Sequence, residues 1–201
     1  MVTQLRFWFL LQQDVDRPIG GVKQIYMVAS IISDLGYSVS IVQGTTTFRP
    51  SWFPLDKLNF STIGNSEFSV QSLDPKIDVV VIPETFLPLL PKLEHLRVVI
   101  FNQNMHYLFG EKLDFDPSFV LKAYSSSNII AVLTVSSSDH SFAIDALPVP
   151  PSRIHRIVNA IEDDLFYFSA SSSKTIAYMP RKNPDHAKVV LNLLKAQPWF
   201  K

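Results

Sequence analysis

The stretch Leu5-Arg6-Phe7-Trp8-Phe9-Leu10-Leu11, followed at a short distance by Pro18-Ile19-Gly20-Gly21-Val22, decides how the rest of this chain is read. A short, nearly continuous apolar run suits a strand buried on both faces. Behind the glycine pair, Val22, Ile25, Val28, Ala29, Ile32 and Leu35 fall on one helical stripe, with Lys23, Gln24, Ser30 and Asp34 mostly off it. Gly36 stands where a helix favours a glycine stop, and Ser38–Val42 reads as a second strand. This is one βαβ unit, which predicts parallel strands and a right-handed crossover. Glycines at the helix start let a ligand approach the backbone, and the helix terminus offers unpaired N–H groups and partial positive charge. An anion, above all a phosphate, fits that position.

Outward from this unit the pattern repeats. Residues 43–75 read as a loop with a short strand near Phe60–Ile63. Asp78–Ile82 is an apolar strand ending at Pro83-Glu84, and a proline-bounded helical turn leads to a strand over Arg97–Phe101. A helix over Ser118–Tyr124 precedes a strand at Ile129–Val135. Ser136-Ser137-Ser138-Asp139 then supplies a helix N-cap, and the helix runs to about Ala146 before a last strand over Arg153–Val158. Strands alternating with helices predict an α/β fold: a Rossmann-like open, mainly parallel sheet with helices on both faces. Ligands in such sheets sit beyond the carboxyl ends of the strands. The polar groups collected there are Gln12-Gln13-Asp14, Glu84, Asn102-Gln103-Asn104, Ser136-Ser137-Ser138 and Asn159. The spacing places domain one at residues 1–168 and a Ser-rich linker at 169–173. Residues 174–201 then form the first strand and helix of an incomplete second domain, or a segment packing back on the first. A cut early in a second domain is the favoured expectation.

Composition narrows the function classes. Lys plus Arg equals Asp plus Glu, 18 of each, which gives no electrostatic pull towards nucleic acid. With no cysteine, disulfides and thiolate metal sites are excluded, and the histidines follow no metal-ligand spacing. No run approaches the ~20 apolar residues of a membrane helix, and the N-terminus lacks a signal-peptide cleavage site. A cytoplasmic protein without a transmembrane segment is expected, and a homodimer is compatible with it.

Four segments resemble the N-terminal half of a GT-B glycosyltransferase, of the retaining, glycosyl-transferase-group-1-like kind. Pro18-Ile19-Gly20-Gly21-Val22 is similar to that family's glycine loop. Val135-Ser136-Ser137-Ser138 resembles its strand end "V-S-E". Ile157-Val158-Asn159-Ala160-Ile161-Glu162-Asp163-Asp164-Leu165-Phe166 looks like its closing "V-I-P-N-G-V-D-…-F". The run from Lys174 to Lys182 resembles the strand opening its second domain, with the Arg and Lys that hold a donor diphosphate. The departures are Ala160 for the family's glycine, the adjacent pair Arg181-Lys182 for a wider spacing, and the missing glutamate-rich nucleotide-sugar site.

The resemblance implies transfer of a sugar from a nucleotide-activated donor to a glycan or other hydroxyl acceptor, with no cofactor and no metal required. It implies too that this stretch alone is inactive. Gly20, Gly21, Asn159, Arg181 and Lys182 become donor-binding candidates. His106 becomes a sugar-hydroxyl contact, and Glu84 an acceptor ligand or base. Asp14 and Asp16 are lesser acceptor-side candidates. The alternative is a non-catalytic nucleotide- or anion-binding domain. Dinucleotide oxidoreduction is disfavoured, since Gly20-Gly21 is no G-x-G-x-x-G and Gln43-Gly44 closes the second strand where an acid belongs.

Overall fold

The computed structural model describes residues 4–11, 14, 16–45, 47–54, 58–62, 70–109, 115–159, 161, 176 and 184–200. The chain divides into two units, Met1–Ala160 and Ile161–Lys201. In the second, the described residues include one long helix, Pro184–Lys195, with no buried side chain. The linker at 169–173, the strand expected over 174–178 apart from Ile176, and both Arg181 and Lys182 lie outside the described residues.

The first unit is a seven-stranded sheet: β1 (Arg6–Leu10), β2 (Ser38–Gln43), β3 (Asn59–Thr62), β4 (Asp78–Pro83), β5 (Arg97–Asn102), β6 (Ile129–Thr134) and β7 (Ile154–Arg156). The spatial order is β3-β2-β1-β4-β5-β6-β7, and every neighbouring pair is parallel. The open α/β reading therefore holds. Arg6 is in register with Ser38 on one side and Asp78 on the other. Chain direction reverses here: from β1 it moves outward to β2 and β3, then returns to β4 on β1's other flank. In open parallel sheets such a reversal is where the segments following neighbouring strands part and a ligand crevice forms above the carboxyl ends.

Alternation along the strands sends side chains to two cores. Phe9, Val39, Ile41, Val79, Val81 and Phe101 pack with Ile25, Tyr26 and Ala29 of helix α1 (Gly20–Asp34). Leu10, Val42, Val80, Ile82, Ile100 and Val132 face the other way. They meet Val120 and Tyr124 of the helix Pro117–Tyr124 and Ala143 of the helix Ser137–Ala146. Helices thus cover both faces, and β4 is buried along its whole length. Gly36 ends α1 with φ of 89°, a region that L side chains rarely adopt, and Tyr37 N–H donates back to the Ile32 carbonyl. No described helix is long and apolar enough to cross a membrane.

Two elements differ from the sequence reading. The last strand is shorter than expected, since Arg153 belongs to a 3-10 turn, Pro151–Arg153. The proline-bounded turn is a ten-residue 3-10 helix, Glu84–Leu93, with Pro88 and Pro91 inside it. A period of three eclipses side chains at i and i+3, so Glu84, Leu87, Leu90 and Leu93 share one stripe and all four are buried.

At the amino end of the sheet, the fully buried Asp78 is held by four donors. Arg6 Nε and Nη2 each lie 2.7 Å from its carboxylate oxygens, Trp8 Nε1 lies at 2.9 Å and Asp74 N at 2.7 Å. Burial pushes this carboxyl's pKa up, but the Arg6, Trp8 and Asp74 bonds outweigh it and hold the group below its ordinary value. Its stabilising contribution is therefore full above an unfolded carboxyl's 3.8 and is lost as pH falls through the lower folded value. Asp78→Ala should cost about 3 kcal/mol at neutral pH, because it strips a buried acceptor from several donors. Urea unfolding at pH 7 measures the loss, and a cost under about 1 kcal/mol would refute the role given to this carboxylate.

Candidate functional site

The crevice floor is built where β1, β4 and β5 end. Helix α1 begins at Gly20 with an uncapped amino terminus: Ile19 occupies the cap position without a side-chain bond, and the first turn contains no acidic residue. The first intrahelical bond is Lys23 N–H to Ile19 O at 2.9 Å, which leaves the N–H groups of Gly20, Gly21 and Val22 ahead of the helical ladder. Neither glycine needs its conformational freedom, since Gly36 alone among the described glycines has positive φ. What separates the two is space. A Cβ on Gly20 would meet nothing within 4 Å, whereas on Gly21 it would press to 2.9 Å from Gln103 Oε1. Gly21 is small because Gln103 packs on it, and Gly20 borders open space.

Gln103 joins the three strand ends. Its side-chain amide donates to Gly21 O at 3.1 Å, and its backbone N–H donates to Glu84 Oε2 at 3.1 Å. One residue after β5 thus fixes the glycine turn after β1 and the carboxylate after β4. The sequence reading had Gln103 only within a polar strand end; nothing in its identity indicated this bridging position. Its neighbours act separately. The buried Asn102 turns inward and donates to Tyr124 Oη at 2.8 Å, and Asn104 Oδ1 accepts the backbone N–H of His106 at 3.0 Å.

Glu84 is 2% exposed. Burial raises its pKa to about 7, against the pull of backbone N–H groups of Gln103, Glu84 itself and Asn104, and the Asp139 carboxylate adds repulsion. The 3-10 stripe places this carboxylate inside, so it is covered where direct contact with an acceptor was expected. Its titration is thereby moved out of the ordinary carboxylate range towards neutral pH.

The remaining candidates are dispersed. His106 opens a short helix, α2 (His106–Phe109), and its exposed side chain lines a cavity of about 400 Å³ with Met105, Phe109, Ser138, Asp139 and Phe142. Asn159 is exposed beyond β7, four strands from β1, or about 19 Å at the usual ~4.8 Å per strand, so it does not join Gly20, Gly21 and Glu84. Asp14 and Asp16 are taken up in loop-to-loop bonds. Asp14 accepts from Gly44 N at 3.0 Å and Thr45 Oγ1 at 2.8 Å, and Asp16 accepts from Ser51 N at 2.7 Å. Ser136 caps the helix Ser137–Ala146 by accepting from Asp139 N at 3.0 Å. Gln43 Nε2 donates to the carbonyls of Thr45 and Phe48, each at 2.8 Å, which uses its amide nitrogen in holding a loop. No group of three His, Cys, Asp or Glu side chains among the described residues is placed to hold a metal ion.

No protein-family model matches this chain, and no curated protein matches it. The geometry of the crevice is therefore what bears on function.

Folded Glu84 keeps its proton to a higher pH than the 4.5 of an unfolded glutamate. Its contribution to stability is full below that value and is lost as pH rises through about 7. The expected loss is roughly 3 kcal/mol across this window. Glu84→Gln should flatten that part of the profile, as read by urea unfolding of both proteins at pH 5 and pH 8. Identical slopes in the two proteins would mean that Glu84 titrates as an exposed carboxyl does.

Proposed function

We propose that this chain is the acceptor-side, N-terminal part of a glycosyltransferase that moves a sugar from a nucleotide-activated donor to a hydroxyl acceptor. One observation carries the reading: an uncapped helix terminus at the sheet's switch point, with open space over Gly20 and a near-neutral carboxyl on the adjoining strand end. A phosphate needs such a place, because backbone N–H groups and the helix dipole meet it without a side chain between. Catalysis would rest on orienting donor and acceptor and on stabilising the leaving diphosphate. The resemblance gives that second task largely to Arg181, Lys182 and a following domain.

In this reading Gln103 and Glu84 position the glycine turn from behind, since Glu84 is covered and meets the turn only through Gln103. His106, exposed beyond β5, offers a hydrogen bond to a sugar hydroxyl. Dinucleotide oxidoreduction gains no support, as the neutral Gln43, with its amide nitrogen bound to loop carbonyls, stands where a ribose-binding acid is needed.

Titration calorimetry of the full chain against a panel of nucleotide sugars tests the proposal, with Gly20→Ala as the variant. The added methyl group has room in the protein, so the melting temperature should hold or rise, since alanine favours helix over glycine. Affinity for at least one nucleotide sugar should fall roughly tenfold, because the methyl fills the space a phosphate needs. Binding unaffected by Gly20→Ala, or no binding across the panel, would overturn the phosphate role. Binding that obeys these rules without transfer to any acceptor, in the complete protein, would favour a nucleotide-binding domain.

A further inference from the structure

The cavity behind His106 has a chemistry the sugar-transfer reading does not use. Its walls come from two segments at the carboxyl ends of β5 and β6: Met105, His106 and Phe109 on one side, Ser138, Asp139 and Phe142 on the other. At about 400 Å³ it lies within the range of small-molecule sites. Phe109 and Phe142 meet edge-on across it, ring centroids 5.8 Å apart, yet each remains about two-fifths exposed, at 40% and 39%. Two large apolar rings partly open to solvent thus stand beside the Met105 thioether.

The polar groups decide the class of guest. Among the described residues, no lysine or arginine lines the cavity, and the carboxylate that does is Asp139. Among the described residues, Asp139 uses Oδ2 to accept from Ser136 Oγ at 2.7 Å, which leaves Oδ1 for a guest. The Ser138 hydroxyl is engaged with Ser136 Oγ at 2.9 Å. Glu84 lies near enough for the Asp139 charge to raise its proton affinity. Opposing that charge is the half-charge at the amino terminus of the helix Ser137–Ala146, smaller than the full charge on Asp139. Arg156 approaches from the β7 side, where its Nη1 donates to Ser137 Oγ at 2.6 Å, outside the lining.

An anion is repelled by this arrangement. A polyhydroxylated ligand needs more hydrogen-bond partners than His106 and one carboxylate oxygen supply. An ammonium group finds a carboxylate and aromatic faces together, and its apolar body finds Met105 and the two rings.

We propose that the cavity between Met105–Phe109 and Ser138–Phe142 is a binding site for a small organic amine with an apolar or aromatic body, held as its cation against Asp139 and the Phe109–Phe142 pair. The site shares His106 with the proposed sugar transfer but involves neither Gly20 nor a phosphate, so the two are tested by different ligands.

The test compares three probes of one shape on the full chain by titration calorimetry at neutral pH: 2-phenylethylamine, 2-phenylethanol and 3-phenylpropionate. The amine should bind at least tenfold more tightly than the alcohol, and the carboxylate should not bind. Asp139→Asn keeps an acceptor for Ser136 while removing the charge, and should bring the amine to the level of the alcohol. Phe142→Ala should weaken amine and alcohol alike. Equal affinity for amine and alcohol in the unmodified protein, which needs no variant to fold, overturns the proposal, as does a preference that survives Asp139→Asn. Nucleotide-sugar affinity in the same preparations reports on the crevice separately, so either reading can fail alone.

Discussion

Everything at the crevice depends on β1 lying between β2 and β4 with all three strands parallel. Parallel pairing brings the carboxyl ends together on one edge of the sheet. The reversal of chain direction at β1 then sends the following segments apart, so the edge is left open where they part. Had β4 paired antiparallel, Glu84 would lie at the opposite end of the sheet from Gly20, and Gln103 could not reach both. The Arg6–Asp78 pair secures this contact from the other end, because its two hydrogen bonds join the first residues of β1 and β4 directly. A fully buried carboxylate with several donors tolerates little slippage, so it also pins the register.

Two regions with different physics share the carboxyl edge. Around Gly20 the protein presents backbone N–H groups and open space, and burial raises the pKa of Glu84 on the neighbouring strand end. Around Phe109 and Phe142 it presents apolar rings and a negative charge. The first is where a phosphate is proposed to sit and the second where an organic cation is. Asp139 connects them, since its charge reaches Glu84 and the proton on Glu84 responds to what neutralises Asp139.

Particular residues show how far the sequence could be read. The strands were legible because buried parallel strands are short apolar runs: Phe7–Leu10, Val79–Ile82 and Val98–Phe101 carry that signal without help from neighbours. Gly36 was legible because a helix stop with positive φ favours glycine. Glu84 was placed correctly at a strand end but not recognised as buried. The clue was present in Leu87, Leu90 and Leu93, spaced by three around Pro88 and Pro91, a period that suits a 3-10 helix and puts residue 84 on the inward stripe. The Asp139 cavity had no such clue, because its two walls are 29 residues or more apart and neither is unusual alone.

The sequence by itself determined the alternation of buried strands and amphipathic helices, and with it the parallel sheet, because periodicity and turn chemistry act within a few residues. It also determined that a glycine pair opens the first helix. Only the tertiary structure decided that Gly20 faces open space while Gly21 is packed under Gln103, that Glu84 is covered, and that Asn159 stands apart. Those outcomes depend on which strand lies beside which, and strand order is set by packing between segments far apart in the chain. The bond between Gln103 and Gly21 spans 82 residues, and no local pattern encodes it.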